Sequence, residues 1–133
     1  LGDPAGEALL REALSSEIPA ARLIAARAYK ATEGSGTSWI AHVEPLLEDH
    51  DGLTRLHAAE LLLAERRQRA VAVLEDALDE PAPAVRIEAT RVLTLGDRAD
   101  PEVLRPLLED AEPWVRLRAA AALSSSSSDP QAP

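Results

Sequence analysis

One nine-residue phrase recurs four times in this chain, and the recurrence limits the fold more than any other feature. The last copy is Val115-Arg116-Leu117-Arg118-Ala119-Ala120-Ala121-Ala122-Leu123. Earlier copies begin at Ala21, Thr54 and Val85, so successive starts lie 33, 31 and 30 residues apart. Every copy has Arg in second place, Leu or Ile in third, Ala in fifth, and Tyr or Leu in ninth. Self-similarity at such a period marks stacked helical units, none of which can bury its apolar side alone.

Composition favours the same answer. Hydrophobic residues make up 46% of the 133, mostly Ala, Leu and Val, and the only aromatics are Tyr29, Trp39 and Trp114. Such a mixture prefers helix to sheet. The absence of cysteine excludes a disulfide framework, a thiolate metal site and a cysteine nucleophile. A net charge of −9 opposes nonspecific binding to nucleic acid or to an anionic membrane, both of which require a positive field. No apolar run approaches the roughly 18 residues of a membrane span, and no secretory signal pattern is present. Because the sequence contains no Met, Leu1 is not expected to be a translation start, and a processed chain or an excised piece is expected.

Each repeat begins with a first helix, A. Asp3-Pro4 and Asp100-Pro101 supply an N-cap and a proline for the first turn. Leu10, Val43, Leu74 and Leu104 form one apolar column, and Leu14, Leu47, Leu78 and Leu108 form another, four residues on. Pro45 and Pro106 share a column inside helix A and should kink it. A short acidic turn follows, then Pro19, Gly52, Pro83 or Pro113 opens helix B, which carries the phrase. Expected A helices cover about 4–15, 38–49, 68–79 and 101–110, and B helices about 19–31, 53–65, 83–95 and 113–124. Gly34-Ser35-Gly36, Arg66-Arg67-Gln68-Arg69 and Gly96-Asp97-Arg98 read as the linkers between repeats. The repeat domain is thus expected over 1–124, with repeats at about 3–33, 37–65, 67–97 and 98–124. Residues 125–133 form a low-complexity tail. Leu1-Gly2-Asp3 recurs as Leu95-Gly96-Asp97, where Gly suits a left-handed helix cap, so Leu1-Gly2 reads as the end of a preceding repeat.

Helix A with an internal proline, an acidic turn, and a Pro followed by Val-Arg-x-x-Ala-x-x-x-Leu resembles HEAT-like repeats. The resemblance covers essentially residues 3–124 and departs most in the second repeat, where Gly52 and Thr54 replace Pro and Val. It implies an all-α fold, a right-handed α-solenoid of four helix pairs, with the B helices on the concave side. It implies a non-catalytic protein-interaction or scaffolding module without a cofactor. Its partner would be another domain of the same chain or a separate protein. The wording Pro113-Trp114-Val115-Arg116-Leu117 also resembles the HEAT-like C-terminal extension of bacterial sulfatases, so an accessory domain of such a hydrolase is the alternative.

Placed on a helix at about 100° per residue, the second-place Arg falls in the middle of the arc made by the apolar places. Stripping a guanidinium of water without a partner is costly, so Arg22, Arg55, Arg86 and Arg116 are expected to be buried and paired. Asp49, Glu80 and Asp110, which share a column at the A–B turns, are the available acids; the first repeat has Ser16 there, with Glu17 adjacent. Places four and seven fall on the opposite arc. In the concave reading implied by the resemblance, they form a mixed-charge candidate face for a protein partner: Ile24, Arg27, His57, Glu60, Glu88, Arg91 and Arg118. Ion pairs between neighbouring repeats, Arg27 with Glu60 or Glu60 with Arg91, are the competing use of these residues.

Chemistry-bearing motifs are missing. HEAT-like deoxyhypusine hydroxylase uses adjacent His-Glu pairs to hold iron, but His42, His50 and His57 are none of them followed by Glu. HEAT-like DNA glycosylases present a basic inner face, which this chain lacks. No Gly-x-Ser-x-Gly elbow, phosphate-binding glycine loop or sulfatase signature occurs. The A–B turns gather acids while Lys30, Arg66, Arg67, Arg69 and Arg98 fall near the B–A linkers, so an acidic edge and a mildly basic one are expected. At the N-terminal end an exposed apolar patch is expected, involving Leu1 and residues such as Leu9 or Leu23.

Overall fold

The computed structural model describes residues 3–32, 36–95 and 100–126. Among these, every regular element is helical. Helix α1 (Pro4–Leu14) starts on Asp3, whose carboxylate accepts the Ala5 amide at 2.9 Å, with Pro4 in the turn where an amide would find no helical partner. Helix α2 (Pro19–Ala31) opens on a proline too. Helix α3 (Ile40–Val43) runs into a 3-10 segment, Glu44–Glu48, and is followed by α4 (Gly52–Leu62), α5 (Arg67–Ala77) and α6 (Pro83–Thr94). Helix α7 (Pro101–Leu104), capped by Asp100, also passes into a 3-10 segment, Arg105–Glu109, before α8 (Pro113–Ser126).

The two prolines inside the A helices act by tightening the chain. Pro45 and Pro106 are each the second residue of a 3-10 segment. Each removes an amide from the α-helical ladder, and its ring crowds the preceding turn. The chain leaves the helix through short-range bonds, Asp49 N to Leu46 O and Asp110 N to Leu107 O, both 3.2 Å.

The unusual second repeat has its own start signal. Asp51 accepts the Thr54 amide at 2.9 Å and the Thr54 hydroxyl at 2.8 Å. Those two bonds, the hydroxyl's foremost, hold the Asp51 carboxyl below its ordinary pKa against a smaller opposing effect of desolvation. Thr54 therefore stands where other copies have an apolar residue because Gly52 supplies no rigid start and the cap must do so.

Three sequence expectations are corrected. The stretch 66–69 is not a linker, because α5 begins at Arg67. Arg and Gln favour helix, and the Arg66 amide bonds back to Leu62 O at 2.7 Å while Ala70 N bonds to Arg66 O at 2.9 Å, leaving only a short turn. The tail starts later than 125, since α8 continues to Ser126. There Ser124 Oγ donates to Ala120 O at 2.8 Å and Ser125 Oγ to Ala122 O at 2.9 Å, so the hydroxyls bond back onto the helix. Leu23 is buried, not part of an exposed patch. The expected glycine caps at Gly2 and Gly96 and the patch member Leu1 lie outside the described residues, as does most of the Gly34-Ser35-Gly36 linker; Gly36 takes a φ of 71°, which glycine adopts without steric cost.

The chain divides into two compact units, Leu1–Val73 and Leu74–Pro133, with the boundary inside α5. In the first unit α2 packs on α1, α3 and α4. Leu14, Leu23, Tyr29, Trp39, Val43, Leu47, Leu56 and Leu62 are buried there. In the second unit α8 packs on α6, α7 and the 3-10 segment after α7. Its buried residues include Leu78, Val85, Leu93, Leu104, Leu107 and Val115. Each such leucine contributes on the order of 1.5–3 kcal/mol through area removed from water. The fifth-place alanines, Ala25, Ala58, Ala89 and Ala119, are fully buried in all four copies, which explains why no larger residue stands there.

Lysine 30 ties the first two repeats together within the first unit. Its ammonium donates to Leu61 O near the end of α4, lies 3.4 Å from Glu65, and sits 5.5 Å from the centroid of the buried Trp39 ring. A cation beside the free carbonyls of a helix end is favourably placed, and the indole face adds to that. Arg66 and Arg69 hold Glu44 in a similar way at the start of the first 3-10 segment, Arg69 at 3.7 Å.

Candidate functional site

The four second-place arginines share one arrangement, and it is built on the main chain. Arg22 Nε donates to Ser16 O at 2.7 Å, and Arg55, Arg86 and Arg116 donate through Nη1 to Asp49 O at 2.7 Å, Glu80 O at 2.8 Å and Asp110 O at 2.6 Å. Each acceptor lies six residues earlier, at the A–B turn. The last three reach a second carbonyl as well: His50 O at 3.1 Å, Pro81 O at 2.8 Å and Ala111 O at 3.2 Å. Helix A ends leave carbonyls unpaired, and a guanidinium with five donors satisfies two of them at once.

Side chains in the same column shape the turn itself. Ser16 Oγ accepts the Ile18 amide at 3.1 Å, Asp49 Oδ1 the Asp51 amide at 2.9 Å, and Asp110 Oδ1 the Glu112 amide at 2.8 Å. Serine makes this local bond as aspartate does, which is why the first repeat functions without an acid there. The guanidinium needs the carbonyl, and every residue type provides one.

A carboxylate joins in the second unit. Arg86 bonds both oxygens of Asp110 from the following repeat. Burial acts to raise the Asp110 pKa most, but the Glu112 amide, the Arg86 guanidinium and the Arg116 charge together hold it below the ordinary aspartate value. The burial expectation holds unevenly. Arg22 and Arg55 are half-buried and the Arg86 side chain is 13% exposed, whereas Arg116 is exposed. Among the described residues no helix follows α8 to cover Arg116, so its place in the column does not bring burial.

The places four and seven lie where the helical arc puts them, away from the buried alanines. In the first unit Ile24 is 65% exposed and Arg27 is exposed, while His57 and Glu60 are half-buried. In the second unit Glu88 and Arg91 pair along α6, with Arg91 Nε and Nη2 on Glu88 Oε1 at 3.0 and 2.6 Å. Arg118 is exposed and lines a shallow hollow of about 250 Å³ with Thr94, Ala121, Ala122 and Ser125. Arg91 is thus engaged along its own helix, so an ion pair between repeats is not its sole contact.

Sequence reasoning passed over the exposed apolar residues at the end of the second unit. Leu108, Trp114 and Leu117 all face solvent. The letters alone carry no signal for this, since Leu108 and Leu117 repeat columns that are buried or half-buried in every other copy. Among the described residues no group of three or more His, Cys, Asp or Glu is placed to hold a metal, and no helix is long and apolar enough to cross a membrane. No buried side-chain nitrogen or oxygen among them lacks a hydrogen-bond partner.

No curated protein and no solved structure matches the chain. The family model of HEAT repeats does, over residues 73–133. That span contains α6, α7 and α8, with the Pro83 and Pro113 helix starts, the Pro106 tightening, and the Arg86 and Arg116 turns. Over it the chain is similar to the HEAT repeats, and the first two copies of the phrase carry the same columns in an all-α fold.

Proposed function

We propose that this chain is a protein-interaction or scaffolding module that binds a protein partner through places four and seven of its B helices. The observation that carries the reading is Ile24. It is 65% exposed on α2, one turn from the exposed Arg27, while Ala25 and Ala26 beside it are fully buried. A large apolar side chain held in water next to a cation, on a helix fixed by its opposite side, suits the core of a protein contact. The mixed charge of Glu60, Glu88, Arg91 and Arg118 supports a protein over a polyanion, as does the net charge of −9. No cofactor enters this reading.

The test compares the wild-type chain with Ile24→Glu/Arg27→Glu as baits, with bound proteins identified by mass spectrometry and their affinity measured by calorimetry. The reading expects one protein bound stoichiometrically by the wild type, with at least tenfold weaker binding to the variant. Equal binding by both baits would move the contact elsewhere, and a nucleic acid recovered in its place would sink the reading.

A further inference from the structure

Helix α8 presents to solvent a side that its counterparts cover. Leu117 is 59% exposed in third place, where Leu23 and Leu56 are buried. Ala120 is exposed in sixth place, where Ala26, Ala59 and Thr90 are fully buried, and Leu108 is exposed where Leu14, Leu47 and Leu78 are buried. Trp114, 62% exposed and one turn before Leu117, extends the same surface, and the exposed Arg116 stands beside it. Inside each unit the matching helix has a cover. In the first, α2 carries α3 and α4; in the second, α6 carries α8, and Asp110 of that pair grips Arg86. The surface of α8 is therefore shaped for a helix pair of this chain's own kind.

The first unit offers such a pair with an open groove. Leu9, Glu12, Ala13, Ser15, Ser16 and Ala21 line a volume of about 520 Å³ on α1 and α2. Ala13 and Ala21 stand in columns whose fourth-repeat members, Leu107 and Val115, are buried, so small residues leave room where a larger knob fits. Leu9, 67% exposed, and the exposed Ile18 add apolar surface. The charges also match: exposed Glu12 and Glu17 on this side, exposed Arg116 on α8.

We propose that a second copy of the chain covers α8 with its α1–α2 pair, head to tail. Trp114 and Leu117 fill the groove, and Arg116 faces the neighbouring copy's Glu12 and Glu17. Two different surfaces meet, so the contact is heterologous and adds copies in sequence. It uses residues separate from Ile24 and Arg27, so it stands or falls apart from the partner reading above.

The experiment is sedimentation velocity on the full 133-residue chain from micromolar to millimolar concentration. Two variants at exposed positions accompany it, Leu117→Glu and Leu9→Arg, with circular dichroism verifying that each is helical. The wild type should climb through dimer and trimer, and more weakly at high salt. Each variant alone should remain monomeric. Their equimolar mixture should form a dimer and stop there, because one intact α8 surface meets one intact groove. A wild type that is monomeric at millimolar concentration, or a mixture that stays monomeric, overturns the proposal. So does a Leu9→Arg chain that still dimerises, which would indicate α8 packing on α8.

Discussion

Arg86 and Asp110 meet through two parallel contacts, Nε to Oδ2 at 3.0 Å and Nη2 to Oδ1 at 3.2 Å, between side chains only 13% and 11% exposed. Two nitrogens matched to two oxygens give both strength and direction. Removing the guanidinium strands a shielded carboxylate and two turn carbonyls. Arg86→Ala is therefore expected to lower unfolding free energy by about 3–5 kcal/mol, the range for breaking a buried pair. Arg116→Ala, at an exposed site, should cost less than about 1 kcal/mol. Urea titrations of the two variants side by side decide the matter, and equal losses would mean that shielding is not what distinguishes them.

Acid should weaken the second unit through the same carboxylate. Asp110 has its pKa lowered in the folded chain, so its contribution is complete above the unfolded-state value of about 3.9 and is lost as pH falls through the folded value. Stability should be level from neutral pH to about pH 5 and decline below about pH 4. Asp51, also lowered, contributes with the same sign in the first unit. Asp110→Asn should start lower at neutral pH and show a shallower acid limb in thermal melts; an unchanged limb would contradict this assignment.

The cap of α4 offers a sharper substitution. Thr54→Val restores the apolar residue found in two other copies yet removes the hydroxyl that bonds Asp51. It should destabilise by about 0.5–1.5 kcal/mol, as expected of one hydrogen bond to a charged acceptor at an exposed site. Asp51→Ala should cost about 1 kcal/mol by losing the cap. Thermal unfolding followed by helical circular dichroism measures both, and a stabilised Thr54→Val chain would show that Val fits there better than the cap does.

Lys30→Met keeps the apolar stem and removes the charge. The chain loses a bond to Leu61 O, an ion pair with Glu65 and the contact over Trp39. A loss of about 1 kcal/mol is expected, together with altered indole emission. Unchanged fluorescence, read in a Trp114→Phe background so that only Trp39 reports, would argue against the ring contact.

How much of this could be read from letters alone depends on whether side chains or main chain do the work. Helix positions and the buried columns were legible, because Leu and Ala recur at helical spacing and prolines mark the starts. Pro45 and Pro106 announced a disturbance, though not that it would be a 3-10 segment. The partner of the arginines was only half legible. Asp49, Glu80 and Asp110 looked like the anchors, whereas the common acceptor is the carbonyl of that residue, which no letter encodes. The exposure of Arg116 and Leu117 is not legible for another reason: a repeat letter states what a column buries when covered, and says nothing of whether a cover exists.

Each arginine also measures a length. From the last apolar residue of helix A to the first place of the phrase, the interval is seven residues in all four repeats: Leu14 to Ala21, Leu47 to Thr54, Leu78 to Val85, Leu108 to Val115. The unequal spacing of 33, 31 and 30 arises wholly on the other side, between helix B and the next helix A. A guanidinium that must reach the carbonyl six residues back works as a gauge, and one inserted residue would carry that carbonyl out of its grip. Insertions and deletions in this chain thus have one permitted edge, and the arginine column decides which edge that is.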